Sequence, residues 1–412
     1  MLEKVRIVLD SLILYRGLLQ DPVVAALRRF IDISGDGRAK ALSAWHDFAY
    51  SLYQSGHSYQ EHWLELIRCD DNPFSAQAEF SGSTGLSASM INAIKNDLGL
   101  LNILYQLDMA GMLTGSGLEA GLAQTVPYGL PADYREALPL LDSDQWPELT
   151  QQMANYYREH SRGLLASHRA LFWDSQNGLQ PVANPDPVSL EDLIGYKTQK
   201  EQVLDNTEQF LRGEPANNIL LYGNRGTGKS SMIKALLNRY RSDKLALVEV
   251  HREDLAELPA LTAQLRHYNV YFIIFVDDLS FEDYETDYKG LKAVMEGSLE
   301  GRAPNVLIYA TSNRRNLIRE SFTDRTYMDE EIHARDTMEE KLSLADRFGL
   351  TIIFPAPSQQ QYLEIIEGIA LRRHLNMDPE LLRRRALEWE RAHHGPSGRT
   401  ARQFLDSLDY SN

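Results

Sequence analysis

The stretch LLYGNRGTGKSSMIKALL, residues 220–237, constrains the fold of this chain more than any other part of its sequence. An apolar run ends at a glycine, a polar loop follows, and apolar residues then return at helical spacing. The loop fits the pattern GxxxxGK(S/T), in which glycines let backbone N–H groups face phosphate oxygens. The lysine reaches the β and γ phosphates, and the hydroxyl binds Mg²⁺. The residues that we expect to bind phosphate are Gly223, Asn224, Arg225, Gly226, Thr227, Gly228, Lys229, Ser230 and Ser231.

Two later apolar runs end in polar residues that suit the same chemistry. YFIIFVDDLSF ends in Asp277 and Asp278, of which the first can hold Mg²⁺ together with Ser230 and the second can orient a water for hydrolysis. NVLIYATSN ends in a Thr-Ser-Asn group, residues 311–313, where a γ-phosphate and an attacking water would be sensed. We expect Asn313 to be that sensor, because the three features follow one another in a strand-helix order.

The pattern of the chain changes near residue 180. Up to about Trp173 the sequence predicts helices, including DPVVAALRRFIDI, SYQEHWLELI, a helix or helical pair over LSASMINAIKNDLGLLNILYQLDMAGML, and one more over PELTQQMANYYREHSRGLLASHRALFW. Pro181, Pro185 and Pro187 then indicate a linker. Beyond them NILLYG, LALVEV, YFIIFVDD, NVLIYATSN and LTIIFP alternate with helical segments.

These segments predict an all-α N-terminal domain followed by an α/β P-loop module, with a parallel sheet flanked by helices and a small helical lid. The expected bounds are 1–180 for the helical domain, 181–189 for the linker, 190–357 for the nucleotide-binding domain and 358–412 for the lid.

Charge and composition exclude several classes of function. A net charge of -16 and a pI near 5.2 argue against broad electrostatic binding to nucleic acid or to an anionic membrane. The single cysteine, Cys69, excludes an internal disulfide and a metal site made only of cysteines. The first residues lack the clean hydrophobic segment of a signal peptide, and no window approaches a membrane span. We therefore expect a cytoplasmic protein that does not bind membranes.

A phosphate-binding loop, one further strand, an acidic strand, a sensor strand and a helical lid, in that order, resemble the AAA+ ATPases over roughly residues 188–412. LEDLIGYKTQKEQVLDNTEQFL is similar to the segment that begins an AAA+ module, which implies that Ile194 and Gly195 lie near adenine. NILLYGNRGTGKSS, FVDDLSF and YATSNRR further resemble a bacterial ATP-binding family called domain of unknown function 815. The resemblance implies ATP and Mg²⁺ as ligands.

The same resemblance assigns two arginines. KLSLADRFGLTIIFP places Arg347 just before a strand, which matches the arginine-finger position that reaches a neighbouring subunit's nucleotide and so implies a homo-oligomer. GPSGRTARQFLDSL is similar to the lid helix that carries a second sensor arginine; we select Arg402, with Arg399 as the alternative. The family usually has Asp-Glu where this chain has Asp277-Asp278. Hydrolysis is then expected to be slow unless Glu282 compensates.

These residues favour an ATPase that converts ATP and water to ADP and phosphate at a subunit interface, and thereby remodels or switches a partner bound by the helical N-terminal domain. A protein partner is favoured over nucleic acid because the chain is acidic. HREDLAELPALTAQL lacks the aromatic-hydrophobic-glycine loop of threading unfoldases. Two alternatives stay open, a DNA-associated ATPase of the loader or initiator type and a P-loop kinase of small molecules.

Overall fold

The computed structural model describes residues 1–131, 138–240, 244–279, 288–296, 301–313, 347–393 and 395–409. The chain divides into two compact units, Met1–Ser167 and His168–Asn412. Each unit has its own hydrophobic core, so the two are described in turn.

Every regular element in the described part of the first unit is helical, as the sequence predicts. Pro22 stands at the start of the second helix, whose N-terminus is capped by Asp21 through bonds from two backbone N–H groups at 2.9 and 3.1 Å. Ser58 and Glu61 form a capping box. The α-helices are α1 Leu2–Asp10, α2 Pro22–Ile33, α3 Arg38–Ser55, α4 Tyr59–Cys69, α5 Pro73–Ser81, α6 Ala88–Tyr105, α7 Met109–Gly115, α8 Thr150–His160 and α9 Leu164–Ser167.

Aromatic side chains dominate the core of this helical unit. Trp45, Trp63 and Trp146 are buried, and Phe30 meets Trp45 edge to face with ring centroids 5.3 Å apart. The unit also buries the carboxylate of Asp97, which accepts backbone N–H bonds at 2.7 to 3.1 Å from the three residues that follow Leu12. A buried charge satisfied in this way fixes the turn after α1.

The second unit is built on a seven-stranded sheet in the order β2-β1-β4-β5-β6-β3-β7, parallel except for the β1–β2 pair. The predicted fold class is confirmed, and all five predicted strands are present as β3 to β7. The elements are β1 Ala170–Asp174, β2 Gly178–Pro181, α10 Lys197–Leu211, β3 Ile219–Gly223, α11 Lys229–Arg239, β4 Leu245–Glu249, α12 Leu258–Leu265, β5 Tyr271–Val276, α13 Tyr288–Glu296, β6 Val306–Ser312, β7 Leu350–Phe354, α14 Gln359–Arg372, α15 Pro379–Ala392 and α16 Gly398–Asp409.

The stretch 164–181 differs from the prediction of a helix followed by a linker. After α8 and the short α9 the chain forms the β1–β2 hairpin, which adds two strands to the sheet beside β4. Asp174 and Gly178 pair on either side of a three-residue turn, and Gly178, the first residue of β2, has a φ of 73°. The Asp174 side chain accepts the backbone N–H groups of Gln176 and Asn177 at 2.9 and 2.8 Å. The boundary between the units therefore falls after Ser167, ahead of the predicted boundary at 180.

The central strands of this sheet are buried on both faces, as expected for a parallel sheet covered by helices. Helices α10 and α11 contribute apolar side chains to one shared core. The lid helices α14, α15 and α16 make a separate small core around Tyr362, Ile366 and Phe404, against which Ile194 packs. None of the described helices is long and apolar enough to cross a bilayer.

Candidate functional site

A cavity of about 670 Å³ lies where β3, β5 and β6 end and the lid begins. In an open parallel sheet, this carboxyl edge is where ligands bind. The cavity joins a polar end at the phosphate-binding loop to an apolar end beside α14. Its lining residues are Asp192, Leu193, Ile194, Tyr196, Lys200, Arg225, Gly226, Thr227, Gly228, Lys229, Ser230, Ser231, Met232, Asp277, Asp278, Thr311, Asn313, Phe354, Ile365, Ile369, Gly398, Arg399, Arg402 and Gln403.

Two glycines are required by the path of the loop. Gly223 ends β3 with a φ of 147°, and a Cβ there would come within 1.9 Å of the carbonyl oxygen of Phe354 on the neighbouring strand β7. Gly228 is the N-cap of α11 with a φ of 92° and provides no side-chain cap. The first N–H groups of an α-helix have no acceptor within the helix. The residues of the first turn of α11, Lys229, Ser230 and Ser231, line the cavity. This arrangement suits a phosphate group.

The Lys229 ammonium is held in place by three oxygens. Its Nζ donates to the carbonyl oxygens of Gly223 and Asn224, both at 2.8 Å, and to Oδ1 of Asn313 at 3.0 Å. Burial lowers the pKa of Lys229 to about 8, although the nearby carboxylates of Asp277 and Asp278 act in the opposite direction. A buried ammonium bonded only to neutral oxygens favours an incoming anion.

The two aspartates at the end of β5 have different partners. Oδ1 of Asp277 accepts hydroxyl bonds from Ser230 and Thr311, each at 2.6 Å. Oδ1 of Asp278 accepts a bond from Nδ2 of Asn313 at 2.6 Å. Asp277 thus faces the first turn of α11, while Asp278 joins the Asn313–Lys229 pair. The roles expected from the sequence, Asp277 as a metal ligand and Asp278 as the water-orienting group, stay predictions.

The donor set around Asp277 fits Mg²⁺. Mg²⁺ is usually held by one or two protein oxygens and completes its shell with water and substrate phosphates. The Ser230 hydroxyl and the Asp277 carboxylate supply two such oxygens side by side. Among the described residues no group of three or more His, Cys, Asp or Glu side chains is placed to hold a metal by itself. An ion shared with phosphate is the arrangement these residues suit.

The opposite end of the cavity combines apolar walls with a polar rim. Ile194 packs against the lid so closely that a Cβ on Gly368 would come within 2.3 Å of its Cδ1. At the rim, Nη1 of Arg372 in α14 donates to Oδ1 of Asp192 at 2.7 Å. Nζ of Lys200 donates to the carbonyl oxygen of Leu190 at 3.3 Å, and burial lowers the pKa of this lysine. A flat apolar ring edged with polar groups fits this space.

The lid also contacts the phosphate-binding loop. The backbone N–H of Arg399 donates to the carbonyl oxygen of Gly226 at 3.2 Å. A Cβ on Gly226 would come within 3.0 Å of both Ser397 and Arg399. Both candidate lid arginines, Arg399 and Arg402, line the cavity, so the structure does not choose between them. Five cationic side chains, Lys200, Arg225, Lys229, Arg399 and Arg402, line a cavity whose three lining carboxylates are Asp192, Asp277 and Asp278.

The cavity brings together most of the residues that the sequence singles out. Gly195, Gly223 and Asn224 belong to the same segments but do not line it. Arg347, half-buried and three residues before β7, does not line it either. Glu282 lies outside the described residues. The sequence prediction missed Asp192, Lys200, Ile365, Ile369 and Arg372; the i, i+4 spacing of Ile365 and Ile369 is the one signal that points to a shared helix face.

A family model described as "Protein of unknown function (DUF815)" matches residues 166–411. A segment of 61 residues is 38% identical to the replication factor C large subunit of Methanococcus vannielii, covering 15% of this chain and 12% of that protein. A segment of 115 residues is 30% identical to the 26S proteasome regulatory subunit 6B homolog of Schizosaccharomyces pombe, covering 24% of this chain and 29% of that protein. The chain thus spans less than a third of either relative.

A solved structure, the RuvB Holliday junction branch migration motor of Thermotoga maritima, aligns at 14% identity with a TM-score of 0.34. The alignment covers 54% of this chain and 72% of that one.

Proposed function

We propose that this chain, which belongs to the DUF815 family, carries an AAA+ ATPase module in its second unit. The module hydrolyses ATP to ADP and phosphate with Mg²⁺ and uses the cycle to remodel or switch a partner. One observation carries the proposal. Lys229, Ser230, Asp277, Asp278 and Asn313 are joined through the hydroxyl of Thr311 into one hydrogen-bonded network at the carboxyl edge of the sheet.

Each member of the network has a separate task in hydrolysis. Lys229 exchanges its carbonyl partners for β and γ phosphate oxygens, and the first turn of α11 holds the same phosphates. Ser230 and Asp277 would hold Mg²⁺, which supplies positive charge to the phosphates when bound. Asp278 orients the attacking water and accepts its proton. Asn313 bridges Lys229 and Asp278 at 3.0 and 2.6 Å, which supports its role as the γ-phosphate sensor.

The proposed active site is shared between subunits. Arg347 precedes β7, which forms the edge of the sheet on the far side of β3, and it does not line the cavity of its own chain. That position supports a role for its guanidinium at a neighbouring subunit's γ-phosphate. Arg402, with Arg399 as the alternative, would couple the lid to the γ-phosphate within the same chain.

The partner is proposed to be a protein that binds the helical first unit. Tyr50 and Tyr53 lie one turn apart on α3 and are 64% and 62% exposed, which supports α3 as a contact surface. The two curated relatives point in different directions, since one is named for replication and the other for the proteasome. A net charge of -16 favours the protein partner over DNA, and the Asn313 sensor disfavours transfer of phosphate to a small molecule.

Phosphate release from mixed variants tests the proposal. Lys229→Ala should abolish tight ATP binding, whereas Arg347→Ala should bind ATP normally and hydrolyse it about 10³–10⁵-fold more slowly. Mixing the two should restore part of the activity, because the intact loop of one variant can meet the intact Arg347 of the other. In the control, Arg347→Ala is mixed with the double variant that carries both Lys229→Ala and Arg347→Ala. No interface in that mixture contains a complete site.

Two results would argue against this function. Unchanged ATP affinity in a folded Lys229→Ala variant would show that ATP does not bind at this phosphate-binding loop. Recovery that is equal in the mixture and in its control, with specific activity independent of protein concentration, would show that Arg347 does not act between subunits.

A further inference from the structure

We propose that Thr311 is the positioning residue for both acidic side chains of the nucleotide cavity, so that its hydroxyl group sets the affinity for Mg²⁺ and the rate of hydrolysis. The inference rests on the proposed function, because it assigns Asp277 to the metal and Asp278 to the water. Neither the phosphate-loop motif nor the acidic pair of the sequence points to this residue. Its role emerges only from the contacts across β5 and β6.

Thr311 bonds to three consecutive residues beyond β5. Its Oγ1 donates to Oδ1 of Asp277 at 2.6 Å and accepts the backbone N–H of Asp278 at 2.9 Å. Its carbonyl oxygen accepts the backbone N–H of Leu279 at 2.7 Å. Because Thr311 is only 2% exposed, no bulk water competes for these bonds. The turn that carries both aspartates is therefore fastened to a single residue of the neighbouring strand.

Strand register explains why this residue and no other occupies the position. Val276, the last residue of β5, pairs with Ala310 of β6. The next residue on each parallel strand brings Asp277 and Thr311 side by side. β6 continues to Ser312, whereas β5 stops at Val276 and the chain turns away. Thr311 thus lies where one strand ends and its neighbour goes on.

The backbone at Asp278 needs such an anchor. Asp278 has a φ of 50°, a left-handed conformation that residues other than glycine adopt infrequently and at a cost in energy. The bond from its N–H to Oγ1 of Thr311 holds this conformation. In it, the carboxylate lies against Nδ2 of Asn313 at 2.6 Å and so joins Lys229. Without the anchor, we expect the backbone to relax and the carboxylate to leave that network.

A single hydroxyl group performs both tasks, since it accepts one bond and donates another. Asp277 accepts two hydrogen bonds from hydroxyl groups, one from Thr311 and one from Ser230. The bond from Thr311 fixes the carboxylate while Ser230 is released to a metal. Partners that hydrogen-bond to a metal-binding carboxylate typically change metal affinity or activity by about 10–100-fold. Valine has nearly the same shape but can make neither bond.

The experiment compares Thr311→Val, Thr311→Ser and a matched control in the full chain. The control is Thr262→Val in α12, which removes another buried threonine hydroxyl that bonds to the carbonyl oxygen of Leu258 at 2.7 Å. Calorimetry measures ADP binding without Mg²⁺ and then Mg²⁺ binding to the ADP complex, and a separate assay measures phosphate release at saturating Mg²⁺. Circular dichroism and melting temperature report folding.

Thr311→Val should bind ADP without Mg²⁺ within about twofold of wild type, bind Mg²⁺ about 10–100-fold more weakly, and stay slow even at saturating Mg²⁺. The low rate of phosphate release that remains at saturating Mg²⁺ reflects the misplaced carboxylate of Asp278, because added metal cannot restore its orientation. Thr311→Ser should stay close to wild type, and Thr262→Val should match wild type in all three measurements. If Thr311→Val does not fold, Thr311→Ala removes the same hydroxyl without a branched side chain and takes its place.

Wild-type Mg²⁺ affinity and turnover in the folded valine or alanine variant would overturn the role of Thr311. An equal loss in Thr311→Ser would also overturn it, because the methyl group and not the hydroxyl would then be responsible. A wild-type chain that binds no nucleotide would overturn the proposed function itself, and with it this inference. If the wild-type chain binds nucleotide and Mg²⁺ but does not hydrolyse ATP, the proposed function fails. The Mg²⁺ affinities of wild type, Thr311→Val and Thr311→Ser then test the role of Thr311 by themselves.

Discussion

ATP affinity should fall as the pH rises above about 8, because Lys229 loses its proton there. Lys229 is 6% exposed, and its ammonium is bonded to three neutral oxygens at 2.8 to 3.0 Å. Burial lowers its pKa from 10.5 to about 8. The β and γ phosphates bind the charged form, so binding must raise this pKa and take up protons. One unit above the free pKa, about one molecule in eleven is charged, and affinity should be about tenfold weaker, or ~1.4 kcal/mol.

Calorimetry with Mg²⁺ and a slowly hydrolysed ATP analogue, at three pH values between about 7 and 9, measures this change. At about pH 8 the same titrations, repeated in buffers of different ionisation enthalpy, should show uptake of about half a proton for each nucleotide bound. Lys229→Arg is the matched control, because a guanidinium stays charged throughout this range. Its affinity should be lower overall but independent of pH.

The contribution of Lys229 to folding has the opposite sign. Between about pH 8 and 10.5 the unfolded chain holds the proton that the folded chain has lost, so this lysine makes the free energy of unfolding rise with pH. Deprotonation of Lys229 therefore does not destabilise the fold near pH 9, and weaker ATP binding there is not explained by a loss of stability from this residue. A wild-type affinity that stays constant up to about pH 9, without proton uptake, would refute the argument and show that Lys229 keeps an ordinary pKa.

Two further predictions concern hydrolysis and the division of the chain. Asp278→Asn should bind ATP as wild type does but hydrolyse it about 10²–10⁴-fold more slowly, because an amide cannot take the proton from water; equal rates in a phosphate-release assay would show that another group orients the water. Residues 168–412 should bind ATP in calorimetry and residues 1–167 should not. A fragment from residue 182 onward should melt at a lower temperature than residues 168–412. In this fragment β4 has lost its pairing with β1, and Glu257 has lost the bond from Nε1 of Trp173 at 2.7 Å. ATP binding by residues 1–167 would contradict the assignment of the site.

Local patterns in the sequence predict the phosphate-binding loop, the five parallel strands, and the order in which the phosphate-binding, acidic and sensor segments follow one another. Apolar runs that end in Gly223, in Asp277 and in Asn313 are sufficient, because a parallel sheet brings all its strand ends to one edge. The helical nature of the first unit follows from periodicity and from caps such as Ser58. These features depend on residues that lie close together in the chain.

The rest of the site depends on contacts between distant residues. Asp192 and Arg372 meet across 180 positions, and neither belongs to a motif. The left-handed backbone of Asp278 and its bond to Thr311 depend on the register of two strands, which sequence spacing does not define. The hairpin at 170–181 is a different case. Its Asn177-Gly178 pair is a strong turn signal, but the nearby prolines led to the prediction of a linker.

The position of β3 between β6 and β7 determines when the nucleotide site can form during synthesis. The loop emerges from the ribosome with Lys229, yet both strands that flank β3 come later, and β7 ends only at Phe354. At ~5–20 residues per second this interval lasts roughly 6 to 25 s. Until β6 ends at Ser312 the apolar β3 has neither partner, and until β7 is complete it still lacks one, so the sheet around the nucleotide site is incomplete throughout this interval. The second unit must therefore complete its sheet before ligand binding contributes to its stability, and its exposed strands are open to chaperones until then.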